Sequence, residues 1–317
     1  MNLPVTWPWL LALALFYVLA NVVTHYFKLV GAGTVLLGLV LFNRVLWRLL
    51  SHTLVDAWKR INREARDERL AQEQAGASEL DYRPLVVMVT TAVSLTLIEY
   101  FGDRDTFRTA VSHYYPAFFS HRYYELAGFA YWTGFRVAGY VVLPWLTVLM
   151  MPGERLRDYG LRTRGFVRHL WIYAVLLAIV LLPVMMVSYT KTFQNTYPFY
   201  KLAARSWTDF LGWEGLYALQ FFALEVFFRG YMIHPLKRAL GANAVFAMAV
   251  PYCMIHFNKP LAEVLGAVVA GTVLGTLSLA TGSIWCGVLI HVSVAVTMDS
   301  LSLHHTAGYP GNPRLVL

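Results

Sequence analysis

Nine stretches of this chain run for roughly fourteen to twenty-five residues on mainly apolar side chains, and that repetition leaves few folds open. They are Trp7–Tyr26, Leu29–Leu49, Leu85–Phe101, Ala127–Met151, Leu170–Val187, Trp213–Ile233, Ala244–Phe257, Leu261–Ala280 and Ile284–Met298. A helix needs about 20 apolar residues to cross the hydrocarbon core of a bilayer. Only helices or closed barrels satisfy their backbone there, and these uninterrupted runs lack the alternation of a barrel strand. The expected fold is therefore all-α, a polytopic transmembrane bundle of eight or nine spans. The seventh run is short enough to be tilted or to be a partial span buried among its neighbours. The first begins after a few residues with no basic flank, which predicts a retained span rather than a signal peptide.

Charge supports this class. Only 14% of residues are charged, against about 25% in a typical soluble domain. The net charge of +8 is not the mark of a nucleic-acid binder, because the basic residues collect in loops and no nucleic-acid motif is present. Ser51–Arg83 holds six Lys and Arg, and Pro152–Arg168 holds five. The alternate loops Gly102–Leu126 and Ser188–Gly212 hold three each. This imbalance predicts the N-terminus and the even loops inside, in a bacterial cytoplasmic membrane. Tyr114, Tyr115, Phe118, Phe119, Tyr123 and Tyr124 then suit the outer interface. Cys253 and Cys286 lie in apolar runs and offer neither a disulfide framework nor zinc spacing.

Within Ser51–Arg83, Leu54, Val55, Trp58 and Ile61 recur at helical spacing among charged residues. This predicts an amphipathic helix on the membrane surface after the second span. The chain then divides into an N-terminal hairpin with this helix (1–83), a two-span segment (84–154), a core (155–303) and a tail (304–317).

Ionisable residues inside the apolar runs are the functional signal, since each costs about 2.5–3.5 kcal/mol or more at a bilayer centre. Glu225 and Arg229 lie four apart in GWEGLYALQFFALEVFFRGYMI and share a helix face. Alone they could be an ion pair that pins helices. His256 in VPYCMIHFNKP and His291 in SIWCGVLIHVSVAVTMD add two imidazoles from later runs. Either His alone could serve as an interhelical hydrogen-bonding group. Together the four groups suit water activation by a carboxylate and an imidazole. Two His and a carboxylate also suit a metal with open positions. HExxH is absent and the groups come from separate runs, so the expectation is a site without metal, a divalent ion remaining the alternative. Asp299 follows His291 by eight residues and could share its face. Arg136 needs a partner, for which Glu99 is a candidate.

LEVFFRG, YCMIH and His291 occur in the order of the motifs of the CAAX prenyl protease and bacteriocin-processing (CPBP) family, which this chain resembles over Arg155–Leu303. That family's motifs are two adjacent glutamates, three residues and then Arg; Phe-x-x-x-His; and His followed four residues on by Asn or Asp. Glu225 matches the second glutamate, Arg229 the arginine, and His256 the second-motif histidine with Tyr252 in place of Phe. His291 matches the third-motif histidine. Leu224 stands where the first glutamate belongs, and Ala295 where the Asn or Asp belongs. The resemblance implies an intramembrane endopeptidase in which Glu225 and His256 activate water, Arg229 holds the carboxylate and His291 donates to the oxyanion. Tyr252 and Asp299 are supporting candidates for the lost groups. The implied partners are membrane lipid and a peptide or membrane-protein substrate, with no nucleic acid. A catalytically lapsed membrane scaffold is the alternative. A small transporter fits less well, because the halves show no inverted repeat.

Overall fold

In a computed structural model of the protein, residues 44–74, 81–163, 166–259 and 261–310 are described. Among them are twelve α-helices: α1 Arg44–Gln74, α2 Arg83–Phe101, α3 Arg104–Tyr114, α4 Tyr124–Val137, α5 Leu143–Met150, α6 Phe166–Val187, α7 Lys191–Thr196, α8 Trp207–Glu225, α9 Ile233–Leu240, α10 Ala244–Met254, α11 Leu261–Thr281 and α12 Trp285–His305. The only strand-like pairing among the described residues is a single bridge, Leu161 to Ser283.

Among the described residues, six helical stretches are long and apolar enough to cross a membrane: Arg83–Phe101, Tyr124–Met150, Leu170–Val187, Trp207–Met254, Glu263–Thr281 and Trp285–His305. Of the expected spans, Trp7–Tyr26 lies outside the described residues, and of Leu29–Leu49 only the start of α1 falls within them. The expected sixth and seventh spans are joined in Trp207–Met254, 48 residues long, whose most apolar 18-residue window is 72% buried. Straight, such a helix would measure about 72 Å, more than twice the bilayer core. It is not straight. Gly241 takes φ +61°, a conformation that favours glycine, and ends α9. The chain folds back so that Tyr252 of α10 meets Phe228, with ring centroids 5.2 Å apart. α10 has 11 residues and a length of about 16 Å, so it is a partial span, packed on one side and with Phe246, Val250 and Met254 exposed on the other.

Two widened, π-helical turns interrupt the long helices, at Ala138–Val142 and at Val226–Met232. All seven residues of the second are buried, and Tyr140 from the first packs on Phe227 at 5.0 Å. Around this centre α8 lies against α4 and α12, α10 against α11, and α12 against α6. The outer helices turn apolar residues outward: Leu85, Val89, Val93 and Leu97 of α2 are all exposed, as lipid contact requires.

α1 is amphipathic as the spacing predicts, and its apolar stripe packs on protein. Ala57, Ile61 and Ala65 are buried, and Trp58 packs on Phe246 of α10 at 5.4 Å. Arg60 donates to the Ala280 carbonyl at 2.9 Å, and the amide of Ala242 donates to Asn62 Oδ1 at 2.8 Å. Lys237 adds an ion pair to Glu64 at 2.7 Å. These partners lie at one end of the bundle, where α9 turns into α10 and α11 ends.

Two further expectations are refined. Arg136 makes no ion pair with Glu99; it donates to the carbonyls of Gly102 (3.2 Å) and Trp132 (3.4 Å) and lies over the Trp132 ring at 3.9 Å. Carbonyl dipoles and a ring face thus take the place of a carboxylate. In the aromatic cluster Tyr114, Tyr115 and Phe119 are exposed, whereas Tyr124 turns inward and packs on Phe107.

Candidate active site

α8 carries Glu225 to the centre of the bundle. Its start is capped by Ser206, whose hydroxyl accepts from the Asp209 amide at 3.2 Å. Its end runs directly into the π-helical turn that holds Arg229. Glu225 Oε1 lies 3.1 Å from an Arg229 nitrogen, and both side chains are fully buried. Among the described residues, the two groups do not align as a hydrogen bond with each other. The attraction is therefore mainly coulombic, and a buried pair without a hydrogen bond between its members does not recover its desolvation cost well. Such a pair is poor evidence of a stability device.

The surroundings close tightly on it. Ser278 of α11 donates to the Arg229 carbonyl at 3.0 Å. On α12, a methyl group at Gly287 would come within 2.2 Å of Glu225 Oε2, so only glycine lets that backbone lie against the carboxylate. Gly287 carries no mark in the sequence, because a single glycine in an apolar run does not show what it faces.

The structure brings His291 and Tyr252 to this pair. His291 Nδ1 lies 2.8 Å from Glu225 Oε1, and its Nε2 is 3.2 Å from the Tyr252 hydroxyl. Its ring stacks on Phe221 of α8 at 5.3 Å. The Arg229 guanidinium lies over the Tyr252 ring at 3.9 Å, a cation–π contact inside the bundle. Tyr252 therefore touches Arg229 and His291, the two groups on either side of Glu225.

His256 sits one turn beyond Tyr252. Its Nδ1 donates to the Tyr252 carbonyl at 2.8 Å, and the two rings meet edge to face at 4.8 Å. A carbonyl only accepts, so this bond places the hydrogen on Nδ1 and leaves Nε2 with a free lone pair. Burial, then the nearby Lys259, lowers the His256 pKa to about 4, so the ring is neutral at neutral pH. Among the described residues, His256 has no hydrogen bond or ion pair with Glu225, whose imidazole partner is His291.

Asp299 is fully buried and accepts from Trp213 Nε1 at 2.6 Å. It is held towards α8, and no hydrogen bond or ion pair links it to His291 among the described residues. Leu224 and Ala295 are buried within apolar clusters. Lys259 pairs with Glu263, which also accepts from the Tyr197 hydroxyl at 3.3 Å. Among the described residues, no three or more His, Cys, Asp or Glu side chains are grouped to hold a metal ion.

The spacing of Glu225, Arg229, Tyr252, His256 and His291 along the chain, and the convergence of four of them, invite comparison with known families. Residues 206–297 match the family model of type II CAAX prenyl endopeptidase Rce1-like proteins. The match agrees with the CPBP resemblance read from LEVFFRG, YCMIH and His291. It is shorter than the Arg155–Leu303 over which the motifs were traced, and Asp299 lies beyond it. No curated protein and no solved structure matches the chain at a significant level. With six membrane-length apolar helices, the chain is an integral membrane protein whose 206–297 segment is similar to a protease family.

Proposed function

We propose that this protein is an intramembrane endopeptidase of the glutamate type. The observation that carries this reading is the fully buried Glu225 carboxylate, held at 3.1 Å by Arg229 and at 2.8 Å by His291. An expensive charge set kept inside an apolar bundle is the usual sign of function. In this reading Glu225 and His256 bind the attacking water. One water proton passes to this pair, the oxygen adds to the peptide carbonyl carbon, and a tetrahedral oxyanion forms. The proton then moves to the leaving nitrogen as the C–N bond breaks, which returns the base to its resting state. His256 is suited to orienting the water through its free Nε2, while its low basicity leaves the proton to the carboxylate. Arg229 supplies fixed positive charge next to the developing oxyanion, where a dry site makes it effective. His291 faces Glu225 with Nδ1 and Tyr252 with Nε2, so its first role in this reading is to support Glu225.

The test is hydrolysis of prenylated and unprenylated quenched peptides by purified protein in lipid nanodiscs. Glu225→Gln and His256→Gln should each lower kcat by about 10²–10⁴-fold. Cleavage by either variant at the wild-type rate would overturn this reading. A well-folded wild type that cleaves none of the peptides would favour the second reading, a catalytically lapsed scaffold. The burial of apolar Leu224 and Ala295 where the family carries polar groups supports that alternative.

A further inference from the structure

We infer that Tyr252 is a positioning residue that fixes the proton order of His291 and thereby keeps Glu225 ready to act. This rests on the peptidase reading for its consequence, but not for its structural content. His291 Nδ1 faces the Glu225 carboxylate at 2.8 Å. A bare lone pair there would oppose the lone pairs of the carboxylate, so Nδ1 must carry the hydrogen. A neutral imidazole then has only an acceptor at Nε2. The Tyr252 hydroxyl, 3.2 Å away, is the group that donates to it. The order across the site is carboxylate, N–H, N, H–O, from Glu225 through His291 to Tyr252.

Several features make Tyr252 fit for this. It is 2% exposed, so water does not compete for its hydroxyl. Its ring is held under the Arg229 guanidinium at 3.9 Å and against Phe228 at 5.2 Å. Gly271 of α11 allows the ring its place, since a methyl group there would approach it within 2.9 Å. On α12, one turn beyond His291, Ala295 offers no polar group to the imidazole. The partner that His291 lacks on its own helix therefore reaches it from α10. A Phe at position 252 would keep the packing and lose the donor. The same residue also holds His256 through its carbonyl, so both imidazoles take their tautomers from one tyrosine.

The experiment compares wild type, Tyr252→Phe and Tyr252→Phe/Ala295→Asn in nanodiscs. ¹⁵N NMR of labelled histidine reads the tautomer, and peptide hydrolysis reads kcat and KM separately. Wild-type His291 should show a protonated Nδ1 and an unprotonated Nε2. Tyr252→Phe should give a mixture of tautomers and a kcat lower by about tenfold or more with KM unchanged, the size expected when the partner that orients a functional histidine is lost. Asn at position 295 should restore one tautomer and part of kcat. An unchanged His291 spectrum in Tyr252→Phe would overturn the inference, as would a loss of melting temperature with kcat intact. If wild type has no activity, the spectra still decide the tautomer, and only the peptidase reading fails.

Discussion

A guanidinium and a carboxylate with no exposed surface constrain every residue near them. Removing either charge alone leaves the other buried and unpaired, so Arg229→Met and Glu225→Gln should each destabilise by about 3–5 kcal/mol. The double variant should lose less than the sum, which denaturant unfolding in detergent would reveal. At His256 the sign is set by its pKa of about 4, below the ordinary 6.5. Between these values the unfolded chain takes up a proton that the folded ring refuses, so stability is full above pH 6.5 and falls on acidification towards pH 4. His256→Gln should flatten that part of the profile of melting temperature against pH. The Glu225–Arg229 contact was legible because a spacing of four fixes neighbours on one helix. The pairing of Glu225 with His291 rather than His256 was not, since it depends on how α8, α10 and α12 are turned about their axes. Tyr252 was visible only as a departure from a motif, and its hydroxyl contact is a product of the fold.

Among the elements, α1 shows how far pattern reading reaches. Its helical spacing was plain, but an apolar stripe does not say whether lipid or protein will cover it. The charged residues that point to a surface helix here also bind the bundle: Lys237 to Glu64, and Arg60 to the Ala280 carbonyl. Asn62 accepts from the Ala242 amide at the turn where Gly241 has φ +61°. Asn62→Ala would leave that amide without a partner and should cost about 1–3 kcal/mol in unfolding experiments, with Asn62→Asp retaining most of the stability. The join between α8 and α10 was harder to foresee. The shortness of the seventh run already marks it as a candidate partial span, but does not show that it folds back to place Tyr252 beside Phe228 and Arg229.

For the whole molecule, the span order follows the apolar runs closely from Leu85 onward, because the transfer of apolar side chains into lipid outweighs every local preference there. Burial divides the spans into a centre and a rim: all seven residues of Val226–Met232 are buried, but only 17% of those in Leu170–Val187. The basic loops predict which end faces inward. Exposed Ser120 and Arg157 lie at opposite ends of Tyr124–Met150. In a cysteine-free background, Ser120→Cys should react in whole cells with a membrane-impermeant maleimide, and Arg157→Cys only after lysis. The reverse pattern would invert the orientation. Finally, the widened turn at Val226–Met232 accommodates one residue more than a regular helix would over the same rise. It therefore acts as a phase shift between two sets of contacts: Trp213 with Asp299 before it, and Arg229 with Tyr252 beyond it. Deleting Phe227 or Phe228 would remove the widening and leave the two sets close to their present phase, whereas deleting Leu219 from the regular part of α8 would turn Trp213 against the rest by about 100°. The chain would keep its hydropathy, its spans and all its charged residues, and lose the one alignment that lets a single helix serve both neighbourhoods.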